Sequence, residues 1–171
     1  MVRIIGAILM LAGTTAWGLD GMMKLRGRCR SLSALTAALG VMRSEICDRL
    51  TPISELAETL GREARYPADI FFRNLREGMS ELGRARFSSI WQNAVTGTPQ
   101  LQLNAREAIT LSELGVSIGR YNVDEQREAL LYVQGKMGEY AAGAERAREA
   151  SSKLRVFLGV AAGVFAVVIL I

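Results

Sequence analysis

Apolar residues form uninterrupted blocks at both ends of the chain. The first block, residues 1–19, has Arg3, Thr14 and Thr15 as its only non-apolar side chains. As a helix it would span about 28 Å, close to the roughly 30 Å hydrocarbon core of a bilayer. The last block, residues 156–171, carries no charge and would span about 24 Å. Both blocks are therefore predicted to be transmembrane helices.

The first block has a rival interpretation as a cleaved signal peptide, because it begins close to a basic residue. Trp17 near its end is more typical of an interfacial membrane anchor, so we favour an uncleaved helix. Small residues would let the two blocks pack closely, and a dimer through the GxxxG pair of the second block stays open. The packing candidates are Gly6, Gly13, Gly159 and Gly163.

Basic residues flank both blocks on the side that faces the middle of the chain. They are Lys24, Arg26, Arg28 and Arg30 after the first block, and Arg146, Arg148, Lys153 and Arg155 before the last. The positive-inside rule therefore predicts a cytoplasmic middle and two termini outside the cell. Cys29 and Cys47 lie about 27 Å apart on one predicted helix, so they cannot form a disulfide with each other. Free thiols fit a reducing compartment.

The middle of the chain repeats apolar residues at steps of three and four, which indicates amphipathic helices. Proline and glycine mark the predicted breaks, at residues 51–52, 66–67, 83, 97–99 and 119. Thr51 is predicted to cap the second helix, with Pro52 in its first position. Capping-box spacing is also present in two later places, at Asn104 with Glu107 and at Asn122 with Glu125.

The first and last helices of the middle region carry seams with a period near 3.5, and we expect them to pair as a stalk. The first seam comprises Leu25, Leu32, Leu35, Leu39, Met42, Ile46 and Leu50. The last helix shows no stop signal before residue 171, so it is predicted to run nearly unbroken for about 49 residues, on the order of 70 Å. The first apolar block, in contrast, is expected to be an independent segment.

The predicted fold class is all-α: a bundle of about six helices on a two-helix transmembrane hairpin. Residues 1–22 form the N-terminal transmembrane helix, residues 23–153 the cytoplasmic helical domain, and residues 154–171 the C-terminal transmembrane helix. The long last helix runs into the membrane.

No recognised catalytic or ligand-binding motif is present in the sequence. The chain has no histidine, the commonest general base and metal ligand. It lacks a P-loop, a Rossmann fingerprint and an HExxH motif. The pI of about 9.4 does not indicate nucleic-acid binding, because acids and bases alternate along the middle of the chain. We therefore predict no enzyme activity, no cofactor, no metal and no nucleic-acid partner.

Gly115 and Gly119 weaken an otherwise good helix that carries an apolar face. They indicate either a loose final turn or a close approach of the backbone to another helix or to a partner.

Two stretches of the chain stand out beside the layout of two membrane segments around a helical domain. The first, residues 35–56, contains Glu45, Thr51 and Pro52; the second, residues 111–126, contains Gly115, Gly119, Asp124 and Gln126. In this layout and these stretches the chain resembles the stage III sporulation protein AB family of endospore-forming bacteria. The resemblance covers essentially the whole chain, and it makes these seven residues candidates for partner contact.

The resemblance implies a membrane platform similar to the inner-membrane platform protein of type II secretion and type IV pilus systems. Its implied partners are an AA-type ATPase and the other AA to AH proteins of a channel between mother cell and forespore. Besides these we expect membrane lipid, and a homo-oligomer stays open. The implied location is the mother-cell membrane around the forespore.

Two other classes of function stay open. A transmembrane receptor or sensor also has two membrane helices, although it usually carries an output domain after the second. A membrane enzyme at the cytoplasmic face would use carboxylates such as Glu45, Glu55 and Asp124.

Overall fold

The computed structural model describes the backbone of residues 2–118 and 122–170, and the side chains of residues 23–118 and 122–151. Six α-helices occur in this part of the chain, and no β-strand does. The helices are α1 Val2–Cys47, α2 Ile53–Glu63, α3 Ala68–Gly78, α4 Phe87–Thr96, α5 Ala105–Ile118 and α6 Val123–Leu170. The prediction of an all-α fold with six helices is confirmed.

The chain divides into two compact units. One is Gly27–Ala141, which we call the core domain; the other comprises Met1–Arg26 and Ala142–Ile171. The described residues include no helix with the length and apolar character needed to cross a bilayer. Side chains of the two predicted membrane segments lie outside the described residues. The surroundings of five candidate glycines are likewise not described: Gly6, Gly13, Gly119, Gly159 and Gly163.

Both terminal helices are continuous where the sequence changes from apolar to polar. Helix α6 runs from Val123 to Leu170, which confirms the prediction of one unbroken last helix. Helix α1 likewise runs from Val2 to Cys47. The expectation that the first apolar block is an independent segment is therefore wrong, because no proline follows the block and the glycines at the junction, such as Gly21, are accommodated within the helix.

Helix α1 buries most of its predicted seam in the core domain. Leu32, Leu39 and Met42 have no exposed surface, and Ile46 is 8% exposed. Leu50 was expected to extend the seam, but the helix ends at Cys47 and Leu50 lies beyond it, 68% exposed. The backbone of Leu50 is left-handed, with a φ of 55°. The seam therefore stops one turn earlier than the periodicity predicts.

Helices α1 and α6 pair in antiparallel fashion within the core domain. Asp48, just after the end of α1, contacts Arg127 near the start of α6. Earlier in α1, Thr36 lies beside Gly138, which comes later in α6. Residue numbers fall along one helix as they rise along the other, which defines the antiparallel direction. The predicted pairing of the first and last helices is confirmed within this unit.

The four helices between them pack in sequence order, α2 on α3, α3 on α4, and α4 on α5. An aromatic cluster joins α3 to α4: the ring of Phe71 meets the rings of Phe72 and Trp91 edge-on, with centroids 4.9 and 5.0 Å apart. Trp91 also donates a hydrogen bond from Nε1 to the backbone oxygen of Leu111, at 2.8 Å, which ties α4 to α5. Helix α2 ends at Glu63 and α4 ends at Thr96, next to the predicted breaks. Helix α3 ends earlier than predicted, at Gly78, and the predicted break at Gly83 lies in the loop beyond it with a φ of 98°.

Candidate interaction site

The loop after α1 is held by a single carboxylate, that of Glu45. Its Oε1 accepts a hydrogen bond from Nη1 of Arg49 at 2.9 Å, and its Oε2 accepts one from Oγ1 of Thr51 at 2.8 Å. The backbone oxygen of Glu45 also accepts a bond from the backbone N–H of Thr51, at 2.9 Å. These bonds fold residues 45–51 into a closed turn.

This turn corrects the predicted start of α2. The hydroxyl of Thr51 donates to Glu45 and makes no capping bond to α2, which begins at Ile53 with Pro52 before it. Because the side chain of Thr51 is occupied by Glu45, α2 starts without a side-chain cap. The turn leaves Leu50 and Pro52 on the surface.

The start of α6 is capped as the sequence predicts. The side-chain oxygen of Asn122 accepts a bond from the backbone N–H of Glu125 at 3.0 Å, and its backbone oxygen accepts one from Gln126. Asp124 is exposed in this first turn, and Gln126 is half-buried. Acidic side chains are favourable there because they face the positive end of the helix dipole.

One arginine joins the two segments. Nη1 of Arg127 lies 3.1 Å from Oδ1 of Asp48, and its Nη2 donates to the backbone oxygen of Cys47 at 3.2 Å. The second bond satisfies a carbonyl in the last turn of α1, which has no partner within the helix. We call residues 45–52 and 122–127 together the α1–α6 corner.

Cys47 lies inside this corner, with Sγ 4.0 Å from the backbone oxygen of Val123. Burial raises the pKa of the Cys47 thiol above its ordinary value, and the neighbouring Arg127 opposes that shift without cancelling it. A thiol with a raised pKa is protonated at neutral pH, and the thiolate is the nucleophilic form. Cys47 therefore has the environment of a structural thiol.

The structure brings together five of the seven candidate residues for partner contact. Glu45, Thr51 and Pro52 come from one side of the α1–α6 corner, and Asp124 and Gln126 from the other. The described residues contain no group of three or more His, Cys, Asp or Glu side chains that could hold a metal ion. The corner combines exposed charges with an exposed leucine and proline, a mixture suited to contact with another protein.

Gly115 lies elsewhere, buried between α5 and α4. A Cβ atom at this position would lie 2.5 Å from Cγ of Trp91, closer than real Cβ contacts come. Gly115 therefore allows α5 to approach α4 closely, which is one of the two interpretations of the sequence. Contact of Gly115 with a partner stays a prediction, and Gly119 lies outside the described residues.

An ion pair that the sequence analysis did not predict joins α1 to α5. Nε and Nη2 of Arg28 both donate to Oε1 of Glu107, at 3.0 and 2.5 Å, and the Glu107 side chain is fully buried. These hydrogen bonds raise the pKa of Arg28. A signal was present, because Glu107 precedes Thr110, Leu111 and Leu114 at the spacing of one buried helix face.

Glu107 also completes the predicted capping box of α5. Its Oε2 accepts a bond from the backbone N–H of Asn104 at 2.8 Å, and its own N–H donates to Oδ1 of Asn104 at 3.0 Å. The same carboxylate therefore caps the N-terminus of α5 and forms an ion pair with α1.

The described residues define an all-α domain that is closed by its first and last helices and has a polar corner where those helices meet. The chain belongs to the stage III sporulation protein AB family, whose model matches residues 3–171. This confirms the resemblance and places the chain among sporulation proteins, in a family that is not known as an enzyme family.

Two relatives support the assignment. The stage III sporulation protein AB of Bacillus subtilis (strain 168) is 22% identical over 171 residues, which cover 99% of each chain. A solved structure described as stage III sporulation protein AB (SpoIIIAB) is similar, with a TM-score of 0.67 and 20% identity. The match covers 72% of this chain and 98% of that one, and it supports the fold.

Proposed function

We propose that the protein is a non-enzymatic membrane platform in a sporulation-specific, secretion-like complex. In this role it couples a cytoplasmic ATPase of the AA type to a channel assembly of AA to AH proteins during endospore formation. The apolar ends form a transmembrane hairpin in the mother-cell membrane around the forespore, and the core domain is cytoplasmic. Family membership supports the sporulation part of this proposal, and the apolar blocks of the sequence support the membrane part.

The observation that carries the proposal is the α1–α6 corner. Two stretches that the resemblance marks for partner contact lie far apart in the sequence. Arg127, the residue after the second stretch, contacts Cys47 and Asp48 of the first. The carboxylate of Glu45 is hydrogen-bonded within the loop, to Arg49 and Thr51. The residues left for a partner are therefore the exposed ones, above all Leu50, Pro52 and Asp124.

The partner contact is tested by co-purification of the AA-type ATPase with the full chain from sporulating membranes. We expect wild type to retain the ATPase and Asp124→Arg to lose most of it, because the substitution reverses an exposed charge in the corner. The matched control is Glu63→Arg, which reverses an exposed charge at the end of α2, outside both stretches, and it should retain the ATPase.

Asp124→Arg also opposes the helix dipole, at a cost of about 0.3–1 kcal/mol, so circular dichroism must show that the helical content is unchanged. If folded wild type retains no ATPase, the coupling role is wrong. If both variants lose the ATPase equally, the corner is not the contact.

The membrane hairpin is tested by cysteine labelling in non-sporulating cells. Cys29 and Cys47 are buried, so they are poor reporters on either side of the membrane. We expect a maleimide that cannot cross the membrane to spare Ser89→Cys, an exposed position of α4, until the cells are permeabilised. A cysteine appended after Ile171 should label in intact cells. The reverse pattern would overturn the cytoplasmic placement of the core domain and would favour a sensor-like topology.

A further inference from the structure

A groove separates the ends of α3 and α4 on the surface of the core domain. Its volume is about 460 Å³, and it shares no residue with the α1–α6 corner. Its lining residues are Asn74, Glu77, Gly78, Glu81, Ile90, Asn93, Ala94 and Gly97. The volume falls within the range typical of sites that take small molecules or single side chains.

The floor of the groove is apolar and tightly built. A Cβ atom at Gly78 would lie 2.8 Å from Cγ2 of Ile90, so α3 and α4 are in close contact beneath it. Ile90 and Ala94 are both buried in the domain core. An aliphatic stem laid along the groove would therefore meet a fixed apolar surface.

The polar atoms of the groove are predominantly hydrogen-bond acceptors. Nδ2 of Asn74 donates to Oγ1 of Thr98 at 2.9 Å and to the backbone oxygen of Gly97 at 3.4 Å. These two bonds use both amide hydrogens, so the atom that Asn74 can offer to a ligand is its side-chain oxygen. Two carboxylates, those of Glu77 and Glu81, add four more acceptor oxygens.

The charges that line the groove have one sign. Glu77 lies in the last turn of α3, Glu81 lies in the short turn that follows, and both are exposed. The ion pairs formed within the described part of the chain include neither of them. A cation that enters the groove would therefore meet two carboxylates that are not engaged in those ion pairs.

We propose that the groove binds an arginine side chain of a partner protein. A guanidinium group presents five N–H donors in one plane, which matches several acceptors spread around a groove better than the compact ammonium of lysine does. The arginine stem would lie along the floor of the groove, where Gly78 of α3 meets Ile90 of α4. A divalent cation fits less well, since the groove supplies two carboxylates and belongs to no metal-binding group among the described residues.

The probe that tests this is Nα-acetyl-arginine amide, titrated into the full chain in detergent micelles. The methyl signal of Ile90 and the side-chain amide signals of Asn74 and Asn93 report binding by nuclear magnetic resonance. We expect saturable shifts at these three residues that weaken as salt is added. The matched ligand is the citrulline analogue, which has the same shape without the charge and should cause no saturable shift.

The double variant Glu77→Gln and Glu81→Gln should weaken binding by roughly tenfold, because it removes both charges. The control double variant Glu113→Gln and Glu128→Gln neutralises two exposed glutamates outside the groove and should bind as wild type does. Equal shifts with arginine and citrulline probes, or unchanged binding in the Glu77/Glu81 variant, would overturn the proposal. A salt-sensitive self-association that only this variant loses would also overturn it, because the occupant would then be a second copy of the chain.

Discussion

Replacing Gly115 by alanine is expected to lower the free energy of unfolding by about 1–3 kcal/mol, the usual cost of overpacking a core. The added methyl would lie 2.5 Å from Cγ and 2.6 Å from Cβ of Trp91. Trp91 cannot retreat easily, because it is fully buried, packs edge-on against Phe71 and is hydrogen-bonded to Leu111. The helices α4 and α5 must therefore separate to admit the methyl.

The matched control for this substitution is Gly135→Ala on α6. Nothing lies within 4 Å of a Cβ atom at Gly135, and the residue is exposed in a helix. Alanine there should raise the free energy of unfolding by up to about 1 kcal/mol, since glycine is the weaker helix former. Urea denaturation of the full chain in detergent, followed by circular dichroism, measures both variants. Equal stabilisation by the two substitutions would show that α4 and α5 do not approach as closely as described.

Replacing Glu107 by alanine is expected to cost about 2–3 kcal/mol of stability. Removing one partner of a buried ion pair commonly costs about 3–5 kcal/mol. The Arg28 side chain is 32% exposed, so its charge would remain partly hydrated without Glu107. The expected loss of stability is therefore below that range. The loss of the bond to the backbone of Asn104 adds a capping contribution.

Glu107→Gln separates the two roles of this residue. Its amide oxygen can still accept the bond from Asn104, whereas the charge that faces Arg28 is gone. A double-mutant cycle of Glu107→Gln with Arg28→Met should give a coupling energy above about 1 kcal/mol. Arg62 forms an exposed ion pair with Glu58 on α2, and the control Arg62→Ala should change stability by less than about 0.5 kcal/mol. A coupling energy near zero would show that the ion pair does not stabilise the fold.

The pH dependence of the same pair follows from the raised pKa of Arg28. A basic group whose pKa is higher in the folded state stabilises that state fully below its unfolded pKa. The stabilisation is lost only as the pH rises through the folded pKa. As the pH rises, the Arg28 contribution should therefore stay constant through the physiological range and be lost in strongly alkaline solution.

Local signals in the sequence predicted some of the helix boundaries. The end of α2 at Glu63, the capping box at Asn104 and Glu107, and the cap at Asn122 all depend on residues within a few positions of each other. Helix α1 was misjudged for a related reason. A change from apolar to charged residues looks like a boundary, yet the backbone hydrogen bonds that define a helix continue through it unless a breaking residue intervenes.

The site could be predicted only in part, because its contacts are distant in sequence. Arg127 and Asp48 are 79 residues apart, as are Arg28 and Glu107, and no periodicity reports such pairings. The residue type of Gly115 indicated a close approach, but its neighbour Trp91 belongs to another helix. The sequence therefore shows which positions are unusual, and the fold shows what each of them touches.

The antiparallel pairing of α1 with α6 has a consequence for the order in which the core domain folds. Helices α2 to α5 pack on their neighbours in the chain, so they can assemble while synthesis continues. The face of α1 that carries Thr36 and Gly40 meets Gly138 and Gln134 of α6 only after residues 123–141 have left the ribosome. Until then this face of α1 lacks its partner helix, and the nascent chain is most open to aggregation or chaperone binding. Translation of the last third of the chain therefore sets the moment at which the core domain closes.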